Sequence, residues 1–296
     1  MIFSQTPHSI CLSIADIIIR IFSTDPSLEI KLDGDMRLFS VQAANPDLSI
    51  EACWRTLDDS YRGQMLFDSG GAWQVYLKEN AYWYYCAASV LGKIPYKIAC
   101  IARDFSGGQV FLHRPFFEAH QCVNPLQYPL DELLFLNLLS QGRGVEVHAL
   151  GVADANGDGY LFAGQSGAGK TTMARMWENE DGVTILSDDR IILRRDQNRI
   201  WMYGTPWHGE AGLASISSVP LKHVYFIRHG VNNSLKSKTG AEAAALLFSC
   251  SFPIFYSPDA LKFTVDVCGE VTNAVPCDEL DVVPNREIMD FIRGIR

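Results

Sequence analysis

The sequence predicts an α/β (α+β) protein: a mixed core of strands and helices preceded by a mostly antiparallel β N-terminal region. Three observations carry that expectation. Short β-branched and aromatic runs separated by tight-turn residues fill the chain from residue 14 to about 117. A proline-bounded segment, residues 125–129, then interrupts the pattern. Beyond it, apolar strands alternate with stretches of helical periodicity. The expected division is therefore a β-rich region over residues 1–125, a candidate for substrate or partner recognition, and a catalytic domain over 126–296.

In the first region the strands fall at residues 14–22, 64–66, 72–77, 81–88, 96–101 and 109–113. Turn signals separate them: Asp33-Gly34, Ser69-Gly70-Gly71, Lys78-Glu79-Asn80 and Ser106-Gly107-Gly108. Short spacing with tight turns favours antiparallel pairing. The aromatic residues Trp73, Tyr76, Tyr82, Trp83, Tyr84 and Tyr85 alternate faces along two of these strands and read as sheet packing before they read as a binding surface. After the prolines, Leu130, Leu133, Leu134, Asn137 and Leu138 mark one face of a helix over residues 130–139. Strands follow at 145–152 and 160–163, then a helix at 172–178, on which Met173, Met176 and Trp177 share a face, then a strand at 183–189.

The chain's charge excludes some functions. A formal net charge of -9, with both signs mixed along the chain and no basic block, argues against general nucleic-acid binding, which needs a clustered positive surface. The first eight residues, Met-Ile-Phe-Ser-Gln-Thr-Pro-His, lack the basic start and cleavage site of a signal peptide. The apolar stretch at residues 17–19 is too short to span a bilayer, and that at 243–256 is broken by Pro253, so no membrane role is expected. The eight cysteines are scattered without a C-x-x-C pair and read as reduced, mostly buried thiols. The expected location is cytoplasmic.

The chemistry is concentrated at residues 164–171. There Gly164, Gln165, Ser166, Gly167, Ala168, Gly169, Lys170 and Thr171 complete a G-x-x-x-x-G-K-[ST] Walker A pattern, with Thr172 following. Four fixed positions match by chance in about one chain in a hundred of this length. Context adds to the signal, because an expected strand precedes the loop and an expected helix follows it. Gly164, Gly167 and Gly169 let successive backbone N–H groups turn toward a polyphosphate. The helix start adds unpaired N–H groups and a positive dipole end. Lys170 offers a mobile cation to the β- and γ-phosphates, and the Thr171 hydroxyl can take one place around Mg²⁺. A plain glycine turn before a helix would have no use for the lysine. The expected cofactors are thus ATP and Mg²⁺.

The next strand ends in Ser187-Asp188-Asp189. Neighbouring strand residues face opposite sides, so one carboxylate can reach a metal ion while the other faces a substrate hydroxyl.

Together these motifs resemble the C-terminal catalytic domain of HPr kinase/phosphorylase. That family carries a His-Gly-like segment, a β-hairpin, a G-x-S-G-x-G-K-S loop and helix, then a strand ending in Ala-Asp-Asp. The counterparts here are His148-Ala149, residues 164–171 and Ser187-Asp188-Asp189, and the similarity covers roughly residues 130–230. The resemblance implies a phosphoenolpyruvate-carboxykinase-like P-loop kinase core rather than the usual parallel-sheet NTPase. It also implies roles: Lys170 as the loop lysine, Thr171 as the metal-binding hydroxyl, Asp189 as general base toward a serine hydroxyl, and His148 as an active-site histidine. Asp188 then falls on the metal side. Glu210, within Thr205-Pro206-Trp207-His208-Gly209-Glu210, stands near the family's metal-binding glutamate, and His208 could act beside or instead of His148. A group of HPr-kinase-like proteins often encoded near peptide-modification genes is similar in layout.

The chain departs from the family in its N-terminal strands, in lacking a recognisable C-terminal phosphorolysis segment, and in Thr171-Thr172 where the family has Ser-Glu. These departures point away from HPr as acceptor and from a reverse phosphorylase activity. The expected function is an ATP-dependent kinase acting on a hydroxyl, with serine of a protein or peptide first and a small-molecule hydroxyl as the rival acceptor. A nucleotide-sensing binding protein with weak transfer activity is the alternative of another class, and carboxykinase chemistry lacks identifiable anion-binding arginines. A homo-oligomer is compatible with the sequence. Three features read as decoys. Residues 154–159 copy half a calcium loop but read as a hairpin turn, since the required glutamate position is Gln165. His113 and His120 lack metal-site spacing, and Ser4, Ser13 and the other serines lack a G-x-S-x-G elbow.

Overall fold

The computed structural model describes residues 8–42, 45–59, 62–117, 122–285 and 287–294; Ser4, His120 and the first seven residues lie outside them. The structure is mixed α/β and separates into two compact units, Met1–Leu138 and Leu139–Arg296. The division falls at the end of the helix Leu130–Leu139.

In the first unit, β1 (Ser9–Ile14), β2 (Ile17–Phe22), β3 (Glu29–Ile30), β4 (Ser40–Val41), β5 (Leu48–Arg55), β6 (Gln64–Asp68), β7 (Trp73–Lys78), β8 (Ala81–Ala87), β9 (Pro95–Ala102) and β10 (Gly108–His113) precede a helical turn, α1 (Arg114–Phe117). The strand β11 (Cys122–Val123) pairs with β3, and α2 (Leu130–Leu139) follows. The main sheet runs β4-β1-β2-β5-β10-β9-β8-β7-β6. Its pairings are antiparallel except β2–β5 and β5–β10, which are parallel. The expected single strand at residues 14–22 is instead the corner of a hairpin. Ala15 and Asp16 both take positive φ, 49° and 57°, and Ile14 pairs with Ile17. An Ala-Asp turn without glycine inside an apolar run leaves little local signal. β5 was absent from the expected strands although Leu48, Ile50 and Ala52 alternate inward. The aromatic residues do pack: Tyr76, Tyr84 and Tyr85 are buried, and Tyr76 meets Tyr85 edge-on with ring centroids 5.2 Å apart. His113 is structural, its Nδ1 accepting the Leu57 N–H at 2.9 Å.

The second unit comprises β12 (Val145–Ala153), β13 (Gly159–Ala163), α3 (Lys170–Trp177), β14 (Thr184–Ser187), β15 (Arg190–Asp196), β16 (Arg199–Tyr203), β17 (Ser218–His229), β18 (Ser234–Ser237), α4 (Gly240–Ser249), α5 (Pro258–Ala274), β19 (Cys277–Val282) and α6 (Glu287–Gly294). Its pairings run β13-β12-β15-β16-β17 and close on themselves, because β13 also pairs in parallel with β17. β19 and β18 extend the sheet beyond β17, and β14 pairs with residues 151–153 of β12, beyond the stretch 145–148 that pairs with β15. The 154–159 segment is the expected hairpin turn, with the Asp154 carboxylate accepting the backbone N–H groups of Asn156 and Asp158.

Two apolar layers flank this sheet. On one side Val147, Leu161, Leu193, Val224 and Phe226 meet Ala243 and Leu247 of α4 and Cys268 and Val271 of α5. On the other, Val152, Phe162, Tyr225, Ile227 and Leu280 meet Met173, Ala174 and Trp177 of α3 and Ile288, Met289 and Ile292 of α6. Burial of such side chains contributes roughly 1.5–3 kcal/mol each, which fixes the strands that present the site. Gly151 allows the crowding where β12 bulges between its two partners: a Cβ there would lie 2.4 Å from Ile191 Cδ1. All eight cysteines are free, and Cys11, Cys86, Cys250, Cys268 and Cys277 are buried. Among the described residues no helix is long and apolar enough to cross a membrane.

Candidate functional site

β12 is the hub. At His148 its backbone N–H donates to the Cys250 carbonyl at 2.6 Å, and its carbonyl accepts the Gly164 N–H at 3.4 Å. The next N–H, on Ala149, donates to the Asp189 carbonyl at 3.1 Å. One dipeptide therefore ties together the start of the glycine-rich loop, the acidic strand end and the segment after α4. The first two are regions that the sequence singled out separately.

The loop joins β13 to α3. Gly167 and Gly169 adopt positive φ, 83° and 102°, which a side-chain-bearing residue would hold only under strain. Gln165, Ser166 and Gly167 are exposed, while Gly164 and Lys170 are buried. The Lys170 ammonium donates to the carbonyls of Gly164 at 2.8 Å and Gln165 at 3.1 Å. Burial pushes its pKa down, and the carboxylates of Asp189 and Asp188 partly offset this. Thr171 and Thr172 open α3, the first half-buried and the second exposed. This strand-turn-helix geometry leaves free N–H groups of the helix start beside a lysine, an arrangement suited to an anion.

Asp189 lies at the centre of the polar cluster. Its Oδ1 is 2.7 Å from His148 Nε2, and its Oδ2 accepts from Arg190 Nη1. Burial alone would raise the Asp189 carboxyl. The His148 hydrogen bond and the positive charges of Arg190 and Lys170 outweigh it and hold the pKa below the ordinary carboxylate value. Arg190 is itself fixed: its Nε stands 3.4 Å from the buried Glu146 carboxylate and its guanidinium lies 4.1 Å over the Phe252 ring.

Asp188 points the other way and does something else. It is 1% exposed, and its two oxygens accept the backbone N–H groups of Gly209 (2.9 Å), Ala211 (2.9 Å) and Leu213 (3.3 Å). Beside it, the Ser187 hydroxyl donates to the Trp207 carbonyl at 3.1 Å. Asp188, expected as a metal ligand, stands in the structure as the anchor of the loop at residues 209–213, with three of its roughly four acceptor positions taken by buried donors. Glu210 is exposed on the loop so anchored, and His208 is exposed with its Nδ1 3.0 Å from the Gly209 carbonyl. The expected strand stops at Ser187, and both aspartates lie in the bend between β14 and β15, so their divergence comes from the bend and not from strand alternation; Asp189 is the one that pairs with His148.

Among the described residues no three His, Cys, Asp or Glu side chains cluster so as to cage a metal. Mg²⁺ needs no such cage when phosphate oxygens and water complete its shell, and the donors present, Thr171 and Glu210, are the hard oxygens it takes. Arg190, Phe252, Glu146 and His229 were not foreseen. His229, at the end of β17, donates from Nε2 to the Gly167 carbonyl at 2.7 Å. Adjacency to the aspartates is the only sequence signal for Arg190, and His229 carries none beyond ending a strand before Gly230.

No protein-family model matches the chain, and no curated protein matches it. The functional reading rests on this geometry and on the motifs.

Proposed function

We propose that the chain is an ATP-dependent kinase that transfers the γ-phosphoryl group to a hydroxyl, with serine of a protein or peptide as the acceptor. We read its second unit as an HPr-kinase-like, phosphoenolpyruvate-carboxykinase-like P-loop core, and its first as the part that recognises substrate or partner. The observation that carries the proposal is the His148–Asp189 pair at 2.7 Å, held on the same dipeptide as the first glycine of the loop. A nucleotide-binding protein without transfer activity has no use for a fixed, ionised carboxylate beside its lysine.

In this reading the loop N–H groups and Lys170 hold the β- and γ-phosphates. Lys170 leaves its carbonyl partners for the phosphate oxygens, and its lowered pKa marks how strongly burial makes the ammonium seek an anion. Asp189 takes the proton of the acceptor hydroxyl while the new O–P bond forms, the bond from the γ-phosphorus to the β-bridging oxygen breaks, and ADP departs. A loose transition state needs the proton removed late, so a carboxylate of depressed pKa suffices as the base. His148 donates Nε2–H to Oδ1 and orients the carboxylate, and Arg190 keeps it ionised. Thr171 and Glu210 are the residues that would hold Mg²⁺, which supplies neutralisation of phosphate charge.

Asp189→Asn tests this. It should keep ATP binding and lose about 10²- to 10⁴-fold in transfer of label from γ-³²P-ATP to a serine peptide. Turnover equal to wild type would remove Asp189 from the base role. Label appearing on small alcohols and never on peptides would reassign the acceptor.

A further inference from the structure

The sheet of the second unit carries a second concave site far from the glycine-rich loop. A cavity of about 740 Å³ lies where the hairpin turn before β13, the β15–β16 turn and the end of α5 converge, and Arg199, Lys222, His223, Tyr225, Pro276 and Ile292 are among its walls. That is within the size range of small-molecule sites. No residue of the loop or of the His148–Asp189 cluster lines it. His223 stands six residues before His229 on β17, about 20 Å along the strand from the loop.

The cavity exists because α3 and α6 are too short to cover the sheet. Each has eight residues and so runs about 12 Å. They seal Phe162, Ile227 and Leu280, whereas the opposite end of the same face is left open beside Ile292.

Tyr225 and His223 in its wall are the outer end of a longer ladder of rings that continues into the core. Trp177 lies 6.4 Å from Phe162, Phe162 stacks on Tyr225 at 5.2 Å, and Tyr225 stacks on His223 at 4.1 Å with the planes 7° apart. The ladder stops at His223, which borders the cavity. Burial lowers the His223 pKa although the Asp278 bond opposes it, so the ring stays neutral and donates Nε2–H to Asp278 at 2.6 Å. A neutral imidazole held edge-on by a carboxylate is a rigid, flat surface.

The charges at the rim are unequal. Asp278 is engaged by His223, and Asp158 by Lys222 at 3.5 Å. Arg199 is exposed and, among the described residues, has no carboxylate partner. A planar guanidinium in that position selects a planar anion.

We propose that this cavity is a binding site for a small aromatic anion, whose ring continues the His223–Tyr225–Phe162 stack and whose carboxylate or phosphate meets Arg199. Occupancy would be independent of nucleotide, since the two sites share no residue.

The test is titration of the full chain by calorimetry with 2-naphthoate, with 2-naphthyl phosphate as the phosphate arm and 2-naphthylmethanol as the uncharged arm. At least one anion should saturate with a Kd of about 100 μM or tighter, and the alcohol should bind at least about tenfold more weakly. The tighter of the two anions identifies the headgroup. Arg199→Glu, an exposed change that leaves the fold alone, should weaken the anion at least about tenfold. His223→Phe should keep the binding and His223→Ala should reduce it, because only the former retains a ring. Lys170→Ala should bind the anion as wild type does, so the result stands apart from the kinase reading. Absence of saturable binding, equal affinity for the alcohol, or indifference to Arg199→Glu would overturn the proposal.

Discussion

Replacing Asp188 by asparagine separates two roles that the sequence alone cannot tell apart, anchoring a loop and holding a metal. The wild-type carboxylate is 1% exposed and accepts three backbone N–H groups, two on Oδ1 and one on Oδ2. An asparagine keeps the shape but has one acceptor oxygen. In either amide orientation its NH₂ meets at least one buried N–H, which then has no acceptor. Leaving one such donor unsatisfied costs about 1–3 kcal/mol. The loss should fall on the segment from Gly209 to Leu213, so amide exchange at Gly209, Ala211 and Leu213 should accelerate about 5- to 150-fold. The urea unfolding midpoint should fall in step. Transfer activity should drop with it, because the same loop carries Glu210. Glu210→Gln is the control, and it should leave amide exchange unchanged while raising the Mg²⁺ concentration needed for turnover. If Asp188→Asn leaves exchange and stability unchanged and raises only the Mg²⁺ requirement, the carboxylate is a metal ligand and the anchor reading is wrong.

Two further outcomes follow from the same cluster. Asp189 has a pKa held below its ordinary 3.8, so its contribution to stability is present above that value and is lost as pH falls through the lower folded-state value. The gap in urea midpoint between wild type and Asp189→Asn should therefore be the same at pH 7 and pH 5 and close only below about pH 4. A gap that closes well above pH 4 would show that the Asp189 carboxylate is not its source. His229→Ala removes the 2.7 Å bond to the Gly167 carbonyl at an exposed position, a loss of about 0.5–1.5 kcal/mol. ATP affinity should fall about two- to tenfold, and His229→Gln, which keeps a donor, should restore part of it. Unaltered affinity in His229→Ala would show that the loop needs no such brace.

The sequence was most informative where structure is local. The helix at 130–139 matches the structure residue for residue, and the strands around the glycine-rich loop fall within one or two positions of expectation, because periodicity and flanking turns are properties of short segments. The hairpin corner at Ala15-Asp16 and the strand Leu48–Arg55 escaped for opposite reasons. The first is a turn with neither glycine nor proline, set inside an apolar run. The second has parallel partners on both sides, β2 and β10, reached only across long sequence intervals. No local rule sees such pairing. The closed circuit of strands in the second unit is equally illegible, since it depends on β13 meeting β17 across more than fifty residues.

The candidate site shows the same limit at the scale of side chains. Lys170, Thr171, Asp189 and His148 could be named because their chemistry is uncommon and their order is informative. What each does could not be read in the same way. Asp188 and Asp189 are neighbours of one residue type, yet one is spent on three amides of a remote loop and the other is aimed at His148 and Lys170. Strand alternation would make them diverge, but the strand ends at Ser187 and the bend that follows it sets which partner each one meets. The deciding contacts come from Ala149, Gly209 and Cys250, which take part through their backbone groups alone, where distant segments meet. Arg190 makes the point most sharply. Its guanidinium joins Asp189 to the buried Glu146 and lies on Phe252, so its position is fixed by a residue 44 before it and a residue 62 after it. Such a residue sets the charge state of the proposed base without touching substrate, and only the folded chain brings its partners together.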